Sequence, residues 1–122
     1  MSIKINPRQK DGAIILDING RLTLGEGTVI LREQVRALIS TGHKKILLNL
    51  QAVPYIDSSG LGELVSAFTA ARREGGDLKL LNLGQKVHGL LQITKLYTVF
   101  EVFDDEQAAL RSFLGEGKLK AS

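Results

Sequence analysis

With 122 residues the chain has the length of one domain enclosing a single core, and nothing in it marks a second. Its composition, 43% hydrophobic and 24% charged, is that of a globular protein and argues against a disordered or fibrous body. The absence of cysteine removes disulfides, thiolate nucleophiles and the usual structural zinc sites. The formal charge of +3 arises from 16 basic residues scattered among 13 acidic ones. That is no basic stripe for tracking nucleic acid, and Lys118-Leu119-Lys120 is the nearest approach to one. No apolar run is long enough to span a bilayer or follows a basic N-terminus as in a leader, so a cytoplasmic protein is expected.

Strand and helix patterns then alternate along the chain. Ala13 to Asn19 is rich in β-branched residues and stops at Gly20, and a short strand at Ile3 to Ile5 can pair with it across the Asp11-Gly12 turn. Thr23 and Glu26 have the spacing of a capping box, ahead of a helix whose Leu31, Val35, Leu38 and Ile39 share a face and which Gly42 can end. Lys45 to Leu50 reads as a buried strand. Any of Asp57, Ser58 and Ser59 can cap the next helix, which carries Leu61, Leu64, Val65, Phe68 and Ala71 at helical spacing and ends at Gly75-Gly76.

A strand over Leu78 to Leu81, a short helix with Val87, Leu90 and Leu91, and a last strand over Val99 to Phe103 follow. Asp104 and Gln107 are spaced to cap a closing helix that buries Leu110, Phe113 and Leu114, and residues 115–122, which lack periodicity, read as a flexible tail. The expectation is an α/β domain over 1–114, a mixed sheet covered by about four helices.

The segment Ile56-Asp57-Ser58-Ser59-Gly60-Leu61-Gly62 concentrates the chemistry. Two hydroxyls at a helix N-terminus lie beside N–H groups that have no partner within the helix, where the dipole favours negative charge, so a phosphoryl group there need not break the fold. Gly60 and Gly62 each cost about 1 kcal/mol against Ala in a helix interior, which asks for a reason. Two are available: a shallow face that lets another protein reach the serine, or tight packing of a helix that Asp57, Ser58 and Ser59 merely cap.

This segment, with the apolar strand Ile46-Leu47-Leu48-Asn49-Leu50 before it and the helix to Arg73 after it, resembles the STAS domain of bacterial anti-sigma factor antagonists. The likeness runs from about Ile14 to Leu114 and includes Gly20 and Leu90-Leu91-Gln92-Ile93-Thr94-Lys95-Leu96. The resemblance implies a binding protein, not an enzyme, whose unphosphorylated form binds an anti-sigma factor that is also a serine kinase and so frees the sigma factor. It maps the phosphoacceptor onto Ser58, the first hydroxyl residue after the Asp, and implies a PP2C-type phosphatase that restores the active form. The partner-binding positions are Thr23, Asp57, Ser58, Ser59, Gly60, Leu61 and Gly62; family members often carry an Asp where Thr23 stands, and Thr can cap a helix but brings no charge.

Other chemistries fit less well. Ile56 and Asp57 stand two before Ser58 and Ser59, so neither serine lies in a Gly-x-Ser-x-Gly elbow, and His43 and His88, in a turn and a short helix, suit solvated or packing roles. No phosphate-binding Gly-x-x-x-x-Gly-Lys-Ser/Thr loop occurs, and Gly25-Glu26-Gly27 lacks the rest of a dinucleotide fingerprint. Glu63, Glu74, Asp104 and Asp105 are expected to be solvated at turns and helix starts; no metal or cofactor is expected. The alternative use of the same fold is a scaffold or a nucleotide or lipid sensor in a stress-signalling or lipid-transport complex.

Overall fold

Alternation along the strands decides the architecture. In the computed structural model, which describes the backbone of residues 3–121 and side chains through 114, five strands form one sheet in the order β1-β2-β3-β4-β5. These are β1 (Lys4–Lys10), β2 (Ala13–Asn19), β3 (Lys45–Ala52), β4 (Asp77–Leu81) and β5 (Val102–Phe103); β1 runs antiparallel to β2 and the other neighbours are parallel. Since side chains change face at every residue, Ile14, Leu16 and Ile18 of β2 join Ile46, Leu48 and Leu50 of β3 and Leu78 and Leu80 of β4 on one side. Three helices cover that side: α1 (Glu26–Ser40), α2 (Ser58–Arg73) and α3 (Gln85–Ile93). The opposite face presents Ala13, Ile15, Leu47 and Leu81 to Ala109, Leu110 and Phe113 of α4 (Glu106–Ala121).

The mixed sheet, the hairpin and the four helices agree with the sequence; several details differ. β1 continues to Lys10 through Pro7, which an edge strand tolerates because one row of its N–H groups faces solvent. Asp11 and Gly12, at φ 53° and 81°, make the two-residue turn. The last strand is only Val102–Phe103: a 3-10 turn at Leu96–Thr98 intervenes, and Phe100 turns into the main core. Asp105 rather than Asp104 caps α4, accepting from the Ala108 N–H at 2.9 Å. Leu114 is 47% exposed because it has turned past the stripe formed by Leu110 and Phe113. The expected tail, 115–122, lies outside the residues whose side chains are described.

Polar side chains also tie elements to one another. Glu63, expected in solvent, is buried in α2 and accepts from Arg32 Nε and Nη2 of α1 at 3.1 and 2.9 Å. On the α4 side, Arg8 donates to Asp17 at 2.6 and 3.1 Å and to Glu106 at 2.8 Å, and Asn49 donates to Asp17 at 2.8 Å, so β1, β2, β3 and α4 meet in one network. Arg8 holds both carboxyls below the usual range against the opposing effect of burial. Carboxyls lowered by folding contribute stability that is full above their unfolded values, near pH 4, and is lost as pH falls through the folded values. Arg8→Ala should lower stability at neutral pH by about 0.5–1 kcal/mol, a modest figure because solvent reaches the pair, and should flatten the acid limb of stability against pH; urea titrations between pH 2 and 7 check both.

Candidate functional site

A bulge sets the site. The β2–β3 register pairs Asp17 with Asn49 but Asn19 with Ala52, so β3 holds one extra residue and the chains beyond it are re-aimed. Pairing then resumes outside the sheet. Gly20 N–H donates to Ala52 at 3.1 Å, Leu22 N–H donates to Tyr55 at 3.1 Å, and Leu22 and Ile56 form an isolated parallel bridge. This lays the loop carrying Thr23 and Leu24 beside the one leading to Asp57.

Asp57 closes the junction. One carboxylate oxygen accepts from Gly60 N–H at 2.8 Å, capping α2, and the other accepts from Leu24 N–H at 3.0 Å. These bonds, that from Leu24 foremost and that from Gly60 next, hold the carboxyl below its ordinary range, so it stays charged at neutral pH. The capping box expected of Thr23 and Glu26 is absent: α1 starts from Gly25 at φ 107° with no side-chain cap, and the loop bonds to Asp57 instead.

The first turn of α2 divides its residues. Ser58 is exposed, Ser59 half-buried, and Gly60 and Leu61 buried. A Cβ on Gly60 would collide with the Leu22 carbonyl, so of the two roles open to the glycines this one serves packing within the chain; a Cβ on Gly62 would meet nothing within 4 Å. Beside Ser58 runs a groove of about 650 Å³ between the start of α2 and α3, floored by Ile56, Leu61 and Leu90 and edged by Tyr55, Lys86 and Ile93. Ile93 is 81% exposed and Leu24, in the adjoining loop, 77%.

Neither Leu24 nor the α3 wall figures among the positions expected from sequence. The signal for Ile93 was present, because it falls off the stripe of Val87, Leu90 and Leu91 that packs on the sheet. His88 lies elsewhere on α3 with its ring 5.1 Å from that of Tyr97, and His43 lies in the connection between α1 and β3, two residues before the strand. No group of three or more metal-ligating side chains occurs among the described residues, and no described helix is long and apolar enough to cross a membrane.

Residues 4–109 match the STAS domain family. The chain belongs to that family. It is 32% identical over 102 residues to an anti-sigma-B factor antagonist of Bacillus subtilis, covering 84% of this chain and 92% of the relative. The crystal structure of the protein TM1081 from Thermotoga maritima superposes with a TM-score of 0.83 at 26% identity, over 89% of this chain and 93% of the other. The Bacillus anti-sigma factor antagonist SpoIIAA shares the fold in its unphosphorylated form (TM-score 0.68, 18% identity, 93% and 99% covered) and its phosphorylated form (0.69, 19%, 89% and 99%).

The two glycines of this STAS domain should part company on substitution. Gly60→Ala should destabilise by about 1–3 kcal/mol through overpacking against the Leu22 loop. Gly62→Ala should leave stability unchanged or raise it by up to about 1 kcal/mol, because the site has room and Ala favours helix. Denaturant midpoints at a common m-value separate the two.

Proposed function

We propose that this STAS domain is an anti-sigma factor antagonist, switched by phosphorylation of Ser58. In the unphosphorylated form the turn from Asp57 to Gly62, with the Thr23 loop and the α3 wall of the groove, docks on an anti-sigma factor that is also a serine kinase, and the sigma factor is released. The kinase transfers the γ-phosphoryl group of ATP to the Ser58 hydroxyl, releasing ADP and a proton, and the complex separates; a PP2C-type phosphatase returns the serine by hydrolysis, releasing inorganic phosphate. The chemistry belongs to the partners, and this chain is their substrate.

The observation that carries the reading is the position of Ser58: exposed, the first residue after the capping aspartate, at the mouth of an apolar groove. Similarity to anti-sigma factor antagonists, one of them solved in phosphorylated and unphosphorylated forms, supports it. A phosphate on Ser58 would stand at the N-terminal end of α2, where the helix dipole favours negative charge, so the fold survives modification. Against a docked partner the effect is opposite. The added charge, about −1.5 to −2, stands next to the ionised Asp57 and would have to be desolvated on docking. Thr23 adds no negative charge to this surface, which directs it toward a less basic partner than an Asp there would.

Ser58→Ala and Ser58→Asp should both abolish phosphorylation by the cognate kinase. The alanine variant should keep its affinity, whereas the aspartate variant should lose more than about a hundredfold, equivalent to roughly 3 kcal/mol. Titration calorimetry of both variants against the anti-sigma factor reads the difference, and equal affinities would overturn the switch.

A further inference from the structure

The second large concavity of the molecule lies away from Ser58. β4 and β5 are parallel neighbours, yet the chain leaves them on opposite faces of the sheet, through α3 on one and α4 on the other. Divergence of that kind opens a crevice at the carboxyl ends of the strands, the place where open α/β sheets bind ligands. Here the crevice has a volume of about 550 Å³, within the range of small-molecule sites. Its wall is fixed: Asn82 leaves β4 in the left-handed region at φ 59°, and its N–H donates to the Phe103 carbonyl at 2.8 Å.

The chemistry of the lining narrows the ligand. Asp104 is its carboxylate, and none of the described lining residues is a lysine or arginine, so the lining itself favours a cation over an anion. Three rings contribute, the tilted pair His88 and Tyr97 and, on the far side, Phe103, whose ring already has the Lys79 ammonium 5.8 Å from its centroid. Ring faces and a carboxylate together suit an organic cation, attracted by the ring quadrupoles and paired with the acid. The Tyr97 hydroxyl, buried and without a hydrogen-bond partner among the described residues, is an acceptor for an ammonium N–H. A buried hydroxyl of this kind asks for an explanation, and a ligand supplies one.

We propose that this crevice is a binding site for a small organic ammonium ion with an aromatic or apolar body, held by Asp104 and the Tyr97 side chain, with Phe103 as an apolar wall. The site is independent of the Ser58 switch. The test uses phenethylamine, with phenylacetate as the anion of like shape, in an amide NMR titration of the whole chain. Phenethylamine should shift Asn82, Gly84, Tyr97, Phe103 and Asp104, and phenylacetate should not. Asp104→Asn, an exposed and conservative change, should weaken binding by about tenfold or more. Tyr97→Phe should also weaken binding, while leaving the ligand-free protein as stable or more so, since it removes a buried hydroxyl that has no partner. Equal binding of phenylacetate, no shifts at about 10 mM amine, where even a site of about 1 mM affinity is filled, or shifts confined to the groove beside Ser58 would each overturn the assignment.

Discussion

The candidate surface depends on one short parallel contact, the bridge between Leu22 and Ile56 beyond the end of the sheet, closed by the Asp57 carboxylate. A bulge between β2 and β3 aims both chains toward it, and the absence of a side chain at Gly60 lets the helix come down on Leu22. The cap of α2 and the anchor of the neighbouring loop are therefore the two oxygens of one carboxylate. A charge that would be unremarkable at a helix start becomes the pin of a two-loop assembly, and its depressed pKa is the electrostatic trace of that double duty.

The remainder of the fold presents this junction without sharing in it. α1 and α2 are held to each other by Leu31, Val35, Leu64 and Ala67 in the core and by the Arg32–Glu63 pair above it. α4 closes the opposite face through Leu110 and Phe113, with the Arg8 network at its start. There too lies Lys79, buried in β4, its ammonium 2.8 Å from the Ser112 hydroxyl and 4.7 Å from the Phe113 ring centroid. Strand alternation at Leu78, Lys79 and Leu80 requires this lysine to face α4, and its stem packs while its head finds polar and aromatic company.

Legibility in the sequence followed the strength of local physics. Strands with a continuous apolar signal, such as Ile46-Leu47-Leu48, and helices with a clear stripe were readable in type, and so were the STAS motif and the turn at Asp11-Gly12. β1 was readable only in part, because its exposed residues Asn6 to Lys10 carry no alternation and owe their pairing to β2. The capping box at Thr23 misled because a long-range bond from Leu24 to Asp57 replaced a local one, and Glu63 misled because its partner lies 31 residues away. Of the site, Asp57 and Ser58 stood out by residue type. The groove did not, since it belongs to the spacing of two helices whose approach no periodicity encodes.

The construction of the junction has a consequence for recognition. Residues 22–24 and 55–60 touch only in the folded chain, so the surface around Ser58 has no counterpart in a linear peptide of the same sequence. Any protein that reads both loops at once is reading foldedness as well as sequence. Nascent, damaged or partly unfolded copies would carry the serine without the frame around it, and would pass unnoticed by a partner that grips the frame.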